Sequence, residues 1–483
     1  MNRILDRGEN YQQLKGLPAL AGIAAFPDAI SKGLSIDECV GRLKRYRYAL
    51  KRLHQIFNDH ITSEPIYELK MVFSLHSHYC AEHVAALGTR VGEMREPPLG
   101  LDRVPDSRLG LLFDEIVGQR DTTQRIEAIY GLVLPALVRA MDRHIDETNP
   151  LADHPSVRVC RFALLELREM LDYGERAIGC LREADASGRS AWIDSLSSLL
   201  AQAGGIDGTE PVPGHLAGVT IAPMCSAEPY EYDLEVRRDG RFGDPFNMGV
   251  NAEIFLHTEG FDPAAKVLML YFKRLREIDV PEMMAGIIAQ TPDKPWDYYR
   301  EMTRQLWDEA RHAMMGEVGF VSLGIDWTRI PINFTWSRSL NLQLTPIERH
   351  AVLYFIEQGL MPKSGKRHEW EVGVASQNPL AATFQDYDWA DEVLHAQIGR
   401  NWYVSQFESA KEAIDYGDEC WTRALLDWGR WRDDGLTDHR NWWPDLYAEA
   451  CQLAGIEPRE DILAYAETYE GKRADLKATV PME

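Results

Sequence analysis

Two short runs of this chain put carboxylates and imidazoles where an apolar helix face would otherwise continue. In QLWDEARHAMM, residues 305–315, Glu309 and His312 stand three apart. In DYDWADEVLHAQIGRNW, residues 386–402, Glu392 and His395 repeat the spacing, and each glutamate follows an aspartate, Asp308 or Asp391. Three residues turn an α-helix by roughly 300°, so each Glu and His project from one face. One carboxylate and one imidazole per helix make half of a donor set for two metal ions, and a Glu from each of two further helices completes it. A single Glu-x-x-His is more often a solvated ion pair. Two copies, both as Asp-Glu-x-x-His and both flanked by Trp, Ala, Met or Leu, fit a surface poorly, because a buried carboxylate demands a metal or a partner.

The remaining donors must come from neighbouring helices. Glu277 stands 16 residues before a turn centred near residue 293 and Glu309 stands 16 after it, so an antiparallel pair brings them level. Glu282 is a rival, although Asp279-Val-Pro-Glu282 reads as a helix start with a capping box; a break there would favour Glu282. On the next helix the candidates are Glu348 and Glu357. Thr345-Pro-Ile-Glu348 is again a capping-box pattern, whereas Glu357 has Leu353, Tyr354, Leu360 and Met361 as helical neighbours. A metal-bound histidine commonly donates its second ring N–H to a carboxylate. Asp308 and Asp391 are expected to serve the histidine of the opposite helix, with Arg311 holding one of them.

The elements that must position these groups are helical. From about residue 35 to 200 apolar residues recur at three- and four-residue intervals, as in DECVGRLKRYRYALKRLHQIF, which predicts an N-terminal helical bundle over 1–203. A Gly/Pro-rich connector follows over 204–245, with YDLEVRRDGRF as a candidate hairpin around Asp239-Gly240. The third region, 246–483, resumes the helical period. It opens a helix with Asp262 as N-cap and Pro263 in its first turn, passes a Gly/Lys loop after Glu357, and ends in helices carrying Trp421, Trp428, Trp431, Trp442 and Trp443, read as packing.

DEARH and DEVLH, with intervals of 32 residues from Glu277 to Glu309 and 35 from Glu357 to Glu392, resemble the ferritin-like di-iron carboxylate superfamily over residues 262–405. The paired motifs are similar to those of bacterial multicomponent monooxygenases, acyl-carrier-protein desaturases and ribonucleotide reductase small subunits. The likeness implies an all-α chain whose four-helix bundle carries a dinuclear site, preceded by a second helical bundle. It implies Glu277, Glu309, His312, Glu357, Glu392 and His395 as metal ligands, with Asp308 and Asp391 supporting them. The N-terminal bundle, the connector and the loop after Glu357 depart from the family pattern.

Six N/O donors, four of them carboxylates, suit iron or manganese and argue against a structural zinc. Two iron ions are the expected cofactor, with Mn/Fe and Mn/Mn pairs also compatible. The expected activity is that of an O₂-activating non-haem oxidase or oxygenase using a small organic substrate and an electron donor. A ferroxidase or iron-binding role, or a non-catalytic helical scaffold with a structural metal, uses the same residues. The net charge of −23, from 75 acidic and 52 basic side chains, opposes binding to nucleic acid or an anionic membrane. No apolar run reaches about 18 residues, no secretory h-region stands in MNRILDRGENYQQLKG, and seven scattered cysteines form no CxxC, so a reduced cytoplasmic setting is expected. A homodimer is compatible with all of this. A second site is conceivable in SLHSHYCAEHVAAL, where His76 and His83 share a helix face near Glu82, with Glu166 and Glu169 further on.

Overall fold

The structure is a computed structural model that describes residues 13–94, 100–184, 190–425 and 428–469. Residues 1–12 of the N-terminal stretch read above lie outside these, as does the Trp428 side chain. The described residues form helices and no β-strand; their one isolated bridge joins Val250 and Thr468. The chain is all-α. No described helix is long and apolar enough to cross a membrane.

By compactness the chain divides into residues 1–56 with 76–231, and residues 57–75 with 232–483. Within the connector the division therefore falls at 231/232, and a segment from the N-terminal half belongs to the second unit. The first unit is built on α1 (Ile36–His60), α2 (Tyr67–Glu93), α3 (Ser107–Gly118), α4 (Leu134–Glu147), α5 (His154–Ala184) and α6 (Ala191–Gln202). The last residues of α1 and the first of α2 count with the second unit. Helix starts follow local chemistry: Ser35 and Glu38 close a box before α1, and the Asp106 carboxylate accepts from the N–H groups of Arg108 and Leu109 at the start of α3. Buried Glu115 pins the connector by accepting from the backbone N–H groups of Met224, Cys225 and Ser226.

In the second unit the main helices are α7 (Pro263–Arg276), α8 (Asp279–Ala289), α9 (Trp296–Ser322), α10 (Thr335–Gln343), α11 (Pro346–Gly359), α12 (Lys366–Ala375), α13 (Pro379–Trp402), α14 (Ala410–Leu425) and α15 (Trp443–Ala454). Helix α9 packs on α7, α8 and α13, while α13 also packs on α11 and α12. Trp442 lies against Phe272 of α7 and Trp443 against Phe255, so these tryptophans serve as packing.

Three expectations need correction. The run around Asp239-Gly240 is a turn, closed by Phe242 N–H donating to Asp239, and no hairpin forms. Arg238 is instead drawn inward onto Asp279 and Glu282, and Asp239 is held by Arg241. The helix that begins at Pro263 ends at Arg276, and α8 is a separate element, so Glu277 is a C-cap and not part of a continuous hairpin. The Gly/Lys loop contains a helix of its own, α12.

Candidate metal centre

Each half of the centre is set by helix periodicity. On α9 the buried face carries Gln305, Asp308, Glu309 and His312; on α13 it carries Gln385, Asp388, Glu392 and His395. Glu357 comes from α11 and Glu277 from the end of α7. Their ligating atoms gather into two groups, Glu277–His312–Asp388–Glu392 and Glu309–Glu357–Glu392–His395, each with one atom per residue within 4.8 Å of the others. Glu392 belongs to both. The structure thus brings together all six nominated residues and adds Asp388, which stands one turn before Glu392 on the same face. That spacing was present in the sequence.

The two imidazoles are oriented alike. His312 Nδ1 is 3.4 Å from Asp388 Oδ1, 3.5 Å from Glu277 Oε2 and 3.7 Å from Glu309 Oε2. His395 Nδ1 is 3.1 Å from Glu309 Oε1, without hydrogen-bond geometry, and 3.7 Å from Glu392 Oε2. The opposite nitrogens cross over: His312 Nε2 faces Asp391 of α13 at 3.1 Å, and His395 Nε2 faces Asp308 of α9 at 3.4 Å. Arg311 donates to both aspartates, at 2.6 Å to Asp308 and 2.7 Å to Asp391, and Arg304 adds a contact to Asp308. The arginine ties together the carboxylates that orient the two histidines.

A metal fits what is left over. Glu277 Oε2, Glu309 Oε1, Glu357 Oε2, Asp388 Oδ2, Glu392 Oε2 and the Nδ1 atoms of His312 and His395 are buried without a hydrogen-bond partner. Unpaired buried donors and acceptors cost about 1–3 kcal/mol each, and more when charged, so seven of them on the residues of these two groups call for partners that metal ions would supply. The electrostatics agree. Burial, then Glu392 and Glu309, push the Glu357 carboxyl well above its usual range, although Gln305 donates to it at 3.1 Å. Burial opposes a charge on His395, yet Asp308, Glu309 and Glu392 raise it well above the ordinary imidazole value. Negative charge is in excess.

Two cations that the sequence reading missed enter from one side. Lys366, at the start of α12 and fully buried, lies 2.8 Å from Glu392, 2.9 Å from Asp388 and 3.7 Å from Glu277. Arg274 of α7 contacts Asp388 and, at 2.9 Å, Glu277.

The rival glutamates have other partners. Glu348 closes the capping box of α11 by accepting from Thr345 N–H at 2.8 Å. Glu282 is completely buried between Lys70 and Arg238, each at 2.7 Å. In the first unit His83 pairs with Glu166 at 2.6 Å and His76 bonds the Tyr130 hydroxyl at 2.7 Å, so the two histidines have different partners. Cys39, His144 and Asp153 also converge there, but Asp153 already accepts from Arg90, Thr148 and Cys39.

No protein-family model matches this chain, and no curated protein or solved structure does.

Proposed function

We propose that residues 246–483 form a ferritin-like four-helix bundle whose centre holds two iron ions, and that the chain is an O₂-activating oxidase or oxygenase for a small organic substrate. The observation that carries this reading is the set of seven unpartnered donor atoms, contributed by α7, α9, α11 and α13, around the shared carboxylate of Glu392. Glu277, His312 and Asp388 would hold one ion, Glu309, Glu357 and His395 the other, with Glu392 reaching both. Oxygen and nitrogen donors of this kind suit Fe/Fe, and also Mn/Fe or Mn/Mn. When bound, the pair would supply two electrons to O₂.

The chain's own residues set the conditions. Asp308 and Asp391 face Nε2 of His395 and His312, and with metal bound they would hold the proton there and turn each Nδ1 to the metal. Arg311 holds both aspartates in place by donating to each. Near-complete burial of Glu309, His312, Glu357, Asp388, Glu392 and His395 excludes bulk water, which protects a reactive oxidant from side reactions. An electron donor must reach this centre from outside.

Protein purified from iron-replete cells tests the reading. About two irons per chain with an optical spectrum of oxygen-ligated ferric ions supports it; a metal-free protein that also takes up no iron in vitro rejects it.

A further inference from the structure

The two groups of ligands differ in what opposes a metal ion. Among the described residues, the Lys and Arg side chains that pair with ligand carboxylates are Lys366 and Arg274, on Glu277, Asp388 and Glu392. Glu309 and Glu357 pair with no Lys or Arg among them; their neighbours are His395, His312 and the Gln305 amide. The Lys and Arg side chains that oppose a metal ion therefore gather at the Glu277–Asp388 end of the centre.

Lys366 is also held firmly. Its backbone N–H donates to Leu360 at 3.1 Å, and the preceding Gly365 N–H donates to Pro362 at 2.8 Å. A Cβ on Gly365 would fall 2.1 Å from the Leu360 carbonyl oxygen, so only glycine permits this close entry into α12. The ammonium, with no exposed surface, reaches Glu277, Asp388 and Glu392 together, the three carboxylates of one metal position.

We propose that Lys366 is the resident counter-cation of the Glu277–His312–Asp388–Glu392 position, and that it makes the two metal positions load in a fixed order. The first ion enters Glu309–Glu357–Glu392–His395, where Lys366 touches only the shared Glu392 and leaves Glu309, Glu357 and His395 to the metal. The second enters only as the Lys366 ammonium swings off Asp388 and Glu392, because a divalent ion beside it would be repelled in a site that excludes water. The inference rests on the metal reading above and adds to it an inequality between the two positions.

Mn²⁺ titration of the metal-free full-length protein, followed by electron paramagnetic resonance and calorimetry, tests this. Wild type is expected to bind one Mn²⁺ with an isolated six-line spectrum and a second at least roughly 100-fold more weakly, the pair then showing exchange coupling. His312→Ala is expected to keep the tight ion and His395→Ala to lose it. Lys366→Met, close in length and uncharged, should bring the two affinities within about tenfold. Lys366→Arg, which keeps the charge and supplies a second variant should the methionine protein misfold, should preserve the gap. Two Mn²⁺ bound with equal affinity by wild type, or a gap unchanged in a folded Lys366→Met protein, overturns the proposal and leaves the metal centre standing. No Mn²⁺ bound by wild type overturns both.

Discussion

Gly316 of α9 meets the backbone of Leu275 in α7 so closely that a Cβ there would lie 2.2 Å from the Leu275 nitrogen. One turn on, a Cβ at Gly319 would lie 2.4 Å from the ring of Tyr271. These two glycines let α7 and α9 approach, and that approach brings Glu277 to His312. Backbone cannot give way as a flexible side chain can. Gly316→Val is expected to destabilise the protein by about 1–3 kcal/mol and to weaken the metal position that uses Glu277. Denaturant unfolding and metal titration check both effects; a variant as stable as wild type with unchanged metal binding contradicts the packing argument.

The crossed aspartates act through the histidines they face. Asp308→Asn and Asp391→Asn should fold and weaken metal affinity or activity roughly 10–100-fold. Arg311→Gln, which loosens both aspartates at once, should affect both metal positions. Wild-type affinity in all three proteins would reduce these residues to ion pairs that only hold α9 and α13 together.

Glu282 separates a structural carboxylate from a ligand. Removing its charge strands Lys70 and Arg238 in the interior, and breaking a buried pair typically costs about 3–5 kcal/mol. Glu282→Gln should lower the unfolding midpoint, while the protein that remains folded binds the same number of metal ions. Metal loss without destabilisation would restore Glu282 as a ligand.

Glu369 carries a pH dependence with a definite sign. Burial alone would raise its carboxyl, but Lys273, then Arg274 and Lys366, outweigh burial and hold it at about 2, below its ordinary 4.5. A folded value below the unfolded one contributes stability above pH 4.5 that is lost as pH falls from there through about 2. Glu369→Gln should therefore be less stable than wild type at pH 7 by about 3 kcal/mol, and the gap should narrow by at least half near pH 3. Urea unfolding at the two pH values measures it; equal gaps would mean the carboxylate is not held low.

Much of this centre could be read from one dimension because helix periodicity is local. Glu309 with His312, and Glu392 with His395, need only their own helix to share a face, and Asp388 extends the second face by one turn. Glu277 was placed by counting residues across a hairpin that does not exist as drawn: α8 intervenes, and the C-cap of α7 still points Glu277 at His312. Lys366 and Arg274 were invisible for a different reason. Neither carries a spacing signal, and each meets the centre only through packing of α7 and α12 on α13. Helix α12 itself was masked by Pro362 and Gly365, which read as loop although they form the tight entry to it. The membership of residues 57–75 in the second unit likewise depends on long-range contacts, such as Lys70 on Glu282, that no periodicity encodes.

Reaction of the buried carboxylate–histidine centre with O₂ through a metal pair, as proposed, is open to direct measurement. Protein loaded with Fe²⁺ and kept anaerobic, then mixed with oxygenated buffer in a stopped-flow spectrometer, tests it directly. Wild type is expected to take up O₂ with an absorbance transient, and Glu309→Ala and His395→Ala to show neither. Wild type should stop after one turnover until substrate and reductant are added, whereas a ferroxidase would continue with Fe²⁺ alone. An iron-loaded wild-type protein that shows no transient and consumes no O₂, with or without candidate substrates, would contradict it and leave a structural metal in a helical scaffold.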